Sequence, residues 1–213
     1  GEMIFETCIL SDKEVWLGAY TNSIERRPWP GGMDWRPLPA KAPSRAFLKI
    51  QEATSLGERF FKLGAKFLKR GDVVLELGSA PGGASYFLLE RGLKVFGVDP
   101  ADMSPTVVAR PEFRHVRLQA MQVTASILPG PFDWVVSDMN SSASEVLVAL
   151  ERCIKFNSKP ISGGVITLKL SNWDKLEEAK ALAKKFLSKI ECKNYWIGHL
   201  SQNKTEVCLI FSL

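Results

Sequence analysis

Residues 74–92 constrain the fold more than any other part of this sequence. They join a short apolar run to a glycine-rich turn and then to a segment with apolar residues at helical spacing. A strand, a glycine turn and a helix in this order predict a turn at the carboxyl end of a strand, where open α/β sheets bind ligands. Because glycine lets a backbone come close to a ligand, we expect a binding site at this turn.

Strand and helix patterns alternate downstream of this turn. Further strands are predicted at 94–99, 113–118, 132–138 and 164–170, and helices near 83–91, 142–155 and 173–188. This alternation predicts an α/β fold with a mostly parallel sheet and helices on both faces. The last two apolar segments, 193–200 and 205–213, have room only for a short turn between them and predict an antiparallel pair.

The front of the chain reads differently. Residues 3–10 and 14–20 predict a β-hairpin, and residues 21–43 predict an irregular connector rich in proline, which Trp29 and Trp35 hold against the core. We therefore expect an N-terminal hairpin and connector over 1–43 and a catalytic or binding domain over 44–213. Two helices are predicted at the start of that domain, over 45–53 and 56–69.

Composition narrows the classes of function only partly. A net charge of +5 and a pI of about 9.0 permit a polyanionic partner without requiring one. Four cysteines lie far apart and only two histidines are present, so we expect neither a zinc site nor another metal site. Scattered thiols suit a reducing cytoplasm, and the sequence contains no apolar run long enough to predict a membrane span.

The residues of the turn exclude two phosphate-binding motifs. A dinucleotide fingerprint requires glycine where Ala80 stands, and a P-loop requires lysine after Gly83, where Ala84 stands. Glu76 before the turn suits a cationic ligand, and Asp99 after the next strand could accept hydrogen bonds from a ribose diol. S-adenosylmethionine combines an ammonium, a sulfonium and a ribose, so we favour it over another ligand of Rossmann-like folds.

Four charged residues occupy positions where charge is unexpected. Lys49 interrupts an apolar helical face, Asp138 ends an apolar strand, Lys169 lies within another strand, and Glu206 begins the last one. A buried charge is costly unless it is paired. Since parallel strands end at one edge of a sheet, two lysines and two acids could neutralise one another in a cleft beside the glycine turn.

These residues lie in motifs that resemble the FtsJ-like RNA ribose 2′-O-methyltransferases. The motifs are SRAFLK at 44–49, ELGSAPGG at 76–83, VSDM at 136–139, TLKL at 167–170 and TEVCL at 205–209. The resemblance implies a Rossmann-like class I S-adenosylmethionine-dependent methyltransferase fold, with a seven-stranded sheet and an antiparallel last strand. It also implies a catalytic tetrad of Lys49, Asp138, Lys169 and Glu206 that acts on a ribose 2′-hydroxyl of RNA without a metal.

Within the tetrad, Lys169 is the candidate general base. An ordinary lysine pKa of about 10.4 is too high for this role near neutrality. Burial and the charge of Lys49 would lower it, whereas Asp138 and Glu206 would raise it, so the sequence does not give the direction. The expected cofactor-binding residues are Glu76, Gly78, Ala80, Pro81, Gly82, Gly83, Asp99, Gln119 and Asp138.

Residues 25–53 resemble one subfamily in particular, the bacterial M-type large-subunit ribosomal RNA cytidine 2′-O-methyltransferases, in the region before their catalytic domain. Two features depart from that subfamily: no RNA-binding region of the THUMP type is recognisable, and Gln119 stands where an acid usually meets the adenine. The chain could be a fragment, a shorter relative, or one that another protein supplies with RNA. Candidate phosphate contacts are Arg26, Arg27, Arg36, Lys41 and Arg45. A methyltransferase of a non-RNA substrate and a non-catalytic RNA-binding relative stay open as alternatives.

Overall fold

The computed structural model describes residues 3–21, 23, 29, 32–63, 66–128 and 130–213. The chain divides into two compact units, Gly1–Pro37 and Leu38–Leu213. The domain boundary expected between residues 43 and 44 stays a prediction. Arg26 and Arg27, two of the candidate phosphate contacts, lie outside the described residues.

The first unit contains the expected hairpin. Strand β1 (Met3–Ile9) pairs antiparallel with β2 (Val15–Thr21). In the connector that follows, Trp35 is 69% exposed, so the prediction that it holds the connector against a core is wrong. Arg36 lies 5.6 Å from the centroid of the Trp29 ring and forms an ion pair with the buried Asp34 carboxylate. The predicted role of Arg36 as a phosphate contact stays a prediction.

The second unit is built on a seven-stranded sheet. Its strands are β3 (Val73–Leu77), β4 (Lys94–Val98), β5 (Phe113–Val116), β6 (Trp134–Ser137), β7 (Gly163–Lys169), β8 (Asn194–Gly198) and β9 (Glu206–Ser212). The strand order is β5-β4-β3-β6-β7-β9-β8, and β9 runs antiparallel to both of its neighbours. The predicted mostly parallel sheet with an antiparallel last strand is therefore confirmed.

Five α-helices accompany the described strands of this unit. They are α1 (Ala46–Phe60), α2 (Gly83–Glu90), α3 (Pro105–Val108), α4 (Ala143–Phe156) and α5 (Leu176–Lys189). Helix α1 replaces the first of the two helices predicted over 45–69 and absorbs the start of the second. Thr54 and Ser55 lie within this helix, and their hydroxyls donate to the carbonyl oxygens of Ile50 and Gln51, at 2.7 and 3.1 Å, so both side chains find partners without ending it.

The helices cover the two faces of the sheet in pairs. On one face, Leu75, Leu77 and Val135 share a hydrophobic cluster with side chains of α4 and α5, among them Val146 and Phe186. Helices α1 and α2 pack together, and Ile50 and Ala84 face Val165 and Cys208 on the other side of the sheet. This sandwich leaves the carboxyl ends of β3, β4, β6 and β7 at one edge, where polar side chains can remain accessible.

Candidate active site

The sheet topology brings the four unexpected charges together. Asp138 directly follows β6, Lys169 is the last residue of β7, and Glu206 is the first residue of β9. Lys169 and Glu206 stand directly opposite each other in the antiparallel ladder. Lys49 joins them from the first turn of α1. Residues that are 157 positions apart in the chain thereby share one site, which we call the charged cluster (Lys49, Asp138, Lys169 and Glu206).

The charges of this cluster alternate in sign around a closed set of contacts. The Lys49 Nζ lies 2.7 Å from one Glu206 carboxylate oxygen and 3.4 Å from both oxygens of Asp138. The Lys169 Nζ lies 2.8 Å from the other Glu206 oxygen and 3.8 Å from Asp138 Oδ1. Every charge thus touches two opposite charges, which offsets the cost of removing all four from bulk water.

The cluster is partly buried, and this sets its protonation. The Lys169 side chain is 29% exposed and that of Glu206 is 10% exposed. Burial lowers the pKa of Lys169, but the hydrogen bond to Glu206 and the charges of Asp138 and Glu206 outweigh it, so this pKa lies above its usual value. Burial raises the pKa of Glu206, but the hydrogen bonds from Lys169 and Lys49 outweigh it, so this pKa is lowered. The cluster as it stands therefore favours a protonated Lys169.

A further carboxyl group lies deeper at the same edge. Glu76 on β3 is 2% exposed and accepts a hydrogen bond of 2.5 Å from the Ser85 hydroxyl on α2. Burial raises the pKa of Glu76 to about 8, and the negative charges of Asp138 and Asp99 add to this, although the hydrogen bond from Ser85 opposes it. Within the described part of the chain, no lysine or arginine forms an ion pair with Glu76. A cationic group brought to this carboxyl would favour its ionised form.

Contacts within the protein require glycine at several positions of the glycine turn (residues 78–83). Gly78 and Gly82 have φ values of 79° and 111°, which other residues rarely adopt. A Cβ atom on Gly78 would lie 2.7 Å from the Met139 Cα, and one on Gly82 would lie 2.7 Å from Val107 Cγ2. A Cβ atom on Gly83 would meet Ser44. The sequence predicts glycine here so that the backbone can approach a ligand. The structure adds a second reason, because neighbouring residues leave no room for a side chain.

Asp99 links the glycine turn to the neighbouring cleft. Its carboxylate accepts hydrogen bonds from the backbone N–H groups of Ala80 and Ala101, at 3.1 and 2.8 Å. A cleft of about 420 Å³ opens beside it, and Gly78, Asp99, Gln119 and Met139 are among its lining residues. We call this space the cofactor cleft. Its volume lies in the range of small-molecule sites, and its acid and glycine edges fit the nucleoside end of S-adenosylmethionine.

A second cleft, of about 510 Å³, opens on the other side of Asn140, Ser141 and Glu145, which line both spaces. Its wall includes Lys169 together with residues at the beginning of α4 and α5. The second cleft was not predicted from the sequence. Short polar residues at 140–142 and 171–172, two or three residues after strand ends, were the available signal for it. Two clefts separated by a shared wall, with Lys169 lining one of them, can hold two reactants side by side.

The remaining predicted residues lie around this edge with differing roles. Arg45, a candidate phosphate contact next to the charged cluster, donates a 2.7 Å hydrogen bond to the side chain of Gln202. Lys41 is exposed, and Gln119 leads into a short 3-10 helix (Ala120–Gln122). Ser85, which holds Glu76, is a residue that the sequence reading missed. In the ranges that the structure describes, no group of His, Cys, Asp and Glu could hold a metal ion, and no helix is long and apolar enough for a membrane span.

Comparisons with known proteins find relatives among ribosomal RNA methyltransferases. The ribosomal RNA large subunit methyltransferase M of Xylella fastidiosa (strain 9a5c) is 36% identical over 136 residues, which cover 62% of this chain and 36% of that protein. The enzyme of the same name from Thauera aminoaromatica is 29% identical over 226 residues, which cover 100% of this chain and 57% of that protein. The chain thus spans less than two thirds of the length of either relative.

A solved structure with the same fold is the Aeropyrum pernix fibrillarin in complex with S-adenosyl-L-methionine. It superposes with a TM-score of 0.54 at 16% identity and covers 68% of each chain, so the likeness concerns the fold. The class I S-adenosylmethionine-dependent methyltransferase fold is thereby confirmed. Residues 42–191, well over half of the 213, match the model of the FtsJ-like methyltransferases. The chain therefore belongs to the FtsJ-like methyltransferase family.

Proposed function

We propose that this protein is an RNA 2′-O-methyltransferase that transfers a methyl group from S-adenosylmethionine to a ribose 2′-hydroxyl in large-subunit ribosomal RNA. The observation that carries the proposal is the closed cluster of two lysines and two acids, whose Lys169 lines the second cleft beside the cofactor cleft. The names of the two bacterial relatives support ribosomal RNA as the substrate. We also propose a cytoplasmic location, which the scattered free cysteines favour.

The proposed cofactor contacts are divided among the elements at the carboxyl edge. Asp99 would accept hydrogen bonds from the ribose diol, Gln119 would meet the adenine, and residues 78–83 would face the methionine end. Glu76 and Asp138 would face the ammonium group, which supplies the cation that the buried Glu76 lacks among the described residues. When bound, S-adenosylmethionine supplies an electrophilic methyl group, which leaves the sulfonium sulfur for the ribose oxygen.

The proposed role of the charged cluster is to position the ribose and to remove the proton of its 2′-hydroxyl. Lys49 and Glu206 would position the sugar, and most of the rate enhancement would come from alignment of the two reactants. Lys169, in its neutral form, would take the proton from the 2′-hydroxyl as the oxygen–carbon bond forms, with Asp138 orienting its amine. Since the contacts of Lys169 raise its pKa, the neutral amine is a minor form at neutral pH, and methyl transfer should accelerate as the pH rises.

The test is transfer of a tritium-labelled methyl group from S-adenosylmethionine to three acceptors: large-subunit ribosomal RNA, free nucleosides and unrelated protein. We expect label in the RNA, and we expect it in dinucleotides that resist alkaline hydrolysis, because a 2′-O-methyl group blocks attack of that oxygen on the adjacent phosphate. Label on a base or in protein would contradict the proposal, as would cofactor binding without transfer to any acceptor.

A further inference from the structure

Beyond the charged cluster, a half-exposed indole stands at the same edge of the sheet. Trp173 begins the short 3-10 helix Trp173–Lys175, which follows β7, and it is 49% exposed. Trp134 in the same unit is only 2% exposed. The Trp173 ring lies 5.4 Å from the ring of His199, centroid to centroid, at an angle of 51°. Because the two rings are tilted, His199 supports one side of the indole and leaves much of it open to water.

Trp173 follows β7, the strand that ends with Lys169, and His199 follows β8, the strand that pairs with β9. Trp173 lies four residues after Lys169, so their Cα atoms are at most about 14 Å apart. The backbone N–H of Leu170 donates to the carbonyl of Thr205, the residue before Glu206, at 2.9 Å. His199 follows β8, and its Nε2 atom lies 3.1 Å from the backbone carbonyl oxygen of Lys204. The aromatic pair is thereby tied to the two connections that flank Lys169 and Glu206.

Basic side chains lie on the same connections. Lys204 is exposed in the turn between β8 and β9, and Lys175 is exposed in the 3-10 helix that begins with Trp173. Lys175 has a single carboxylate partner, Glu178 at 2.8 Å, among the described residues. An exposed aromatic face together with lysines suits single-stranded nucleic acid, whose bases stack on aromatic rings while its phosphates meet the cations.

We propose that Trp173, supported by His199, is a stacking platform for an unpaired base of the RNA substrate, next to the nucleotide whose ribose reaches Lys169. The proposal rests on the proposed function and adds a substrate contact to it. A stacking contact accepts any base, because every base has a π face, so it orders the RNA strand without selecting a sequence. The substrate would then be bound in a single-stranded or locally opened form.

The experiment measures binding of a fluorescent single-stranded oligouridylate by anisotropy, with S-adenosylhomocysteine present. An abasic ribose-phosphate oligomer of equal charge is the paired probe. The variants are Trp173→Ala, Trp173→Phe and, as a matched control, Tyr195→Ala, which removes an exposed aromatic residue at the opposite end of β8. Calorimetric binding of the cofactor product checks that each variant is folded.

We expect Trp173→Ala to bind the oligouridylate at least about fivefold more weakly, with an unchanged dependence on salt, and to bind the abasic oligomer as the wild type does. Trp173→Phe should retain most of the affinity, and Tyr195→Ala should retain all of it. Equal affinity of Trp173→Ala and wild type for the oligouridylate would overturn the platform and leave the indole to a protein partner.

The platform and the proposed function can fail separately. If Trp173 is needed for binding of base-bearing RNA but the wild type transfers no methyl group, the platform stands and the proposed reaction falls. If the wild type methylates RNA and Trp173→Ala has the same KM for RNA, the reaction stands and the platform falls. With both correct, Trp173→Ala should raise the KM for RNA and leave kcat near that of the wild type.

Discussion

The glycine turn and the charged cluster lie at the same edge of one sheet, yet they depend on their residues in different ways. The turn requires the absence of a side chain at Gly78 and Gly82, because both have left-handed φ values and sit against Met139 and Val107. The cluster requires four particular side chains, whose charges compensate one another across four elements. Substitutions in the turn should therefore act first on folding, and substitutions in the cluster should act first on chemistry.

The largest effect on stability is expected for Gly82→Val. A residue with a side chain is strained at a φ of 111°, and its Cβ would overlap with Val107, so the two costs together should lower the free energy of unfolding by about 2–5 kcal/mol. Urea denaturation measures this, with Gly130→Ala as the control, since a Cβ there meets no atom within 4 Å. A Gly82→Val protein with wild-type stability and no cofactor binding would show that the glycine serves the ligand alone.

A smaller loss is expected for Glu206→Gln, which removes the carboxylate shared by both lysines. Breaking a buried ion pair costs about 3–5 kcal/mol, and the partial exposure of Lys49 and Lys169 should reduce this to about 2–3 kcal/mol. The pKa of Lys169 should fall in the same variant, because its hydrogen-bonded partner loses its charge. Urea denaturation and a lysine-detected NMR titration test both parts. An unchanged stability would mean that water replaces the carboxylate without cost.

Asp99→Ala should act on the cofactor rather than on the charged cluster. We expect the free energy of S-adenosylmethionine binding to weaken by about 1–3 kcal/mol, because the ribose hydroxyls lose an acceptor and the Ala80 N–H loses its partner. Isothermal titration calorimetry measures this. Asp102→Ala is the control, since Asp102 is an exposed acid that pairs with Arg117 on the surface. Equal affinities for both variants would remove Asp99 from the cofactor site.

The pH dependence of stability gives a more gradual test of Glu76. Its folded-state pKa of about 8 exceeds the ordinary value of 4.5, so the folded protein binds more protons than the unfolded one between these values. Stability from this group is thus present below about pH 4.5 and is lost as the pH rises towards 8, by at most about 1.4 kcal/mol per pH unit. Without cofactor, the wild type should lose stability as the pH rises through this window and Glu76→Gln should not, so the stability of Glu76→Gln relative to wild type should increase with pH. A difference that is independent of pH would contradict the burial of an unpaired carboxyl.

The sequence predicted the features of this site that follow from residue patterns. It did not predict the features that depend on distances between side chains. The alternation of strands and helices gave the sheet, and charges in apolar strands identified Asp138 and Lys169. The direction of the Lys169 pKa shift could not be derived, because it results from opposing effects whose balance needs the 2.8 Å contact with Glu206. The sequence indicated only part of the reason for glycine in residues 78–83, because Met139 and Val107, which contact this turn, are distant from it in the chain.

Errors also came from local patterns that tertiary structure overrode. The sequence predicts separate helices over 45–53 and 56–69, whereas Thr54 and Ser55, between these two segments, lie within the single helix α1 and bond back to its carbonyl oxygens. The second cleft was not predicted because residues from β7, α4 and α5 form it jointly, and none of these segments alone has a pattern that indicates a cleft.

The most direct test of the charged cluster as the reaction centre is single-turnover methyl transfer by Lys169→Met with RNA and cofactor both saturating. The substitution keeps an apolar stem of similar length and removes the proton acceptor, and Lys155→Met, at an exposed position near the end of α4, is the control. We predict a fall in the rate of transfer of at least about 10²-fold with the fold and cofactor affinity retained, and no rescue by Lys169→Arg, whose guanidinium keeps its proton. Near-normal transfer by Lys169→Met would contradict the account and reduce Lys169 to a structural partner of Glu206.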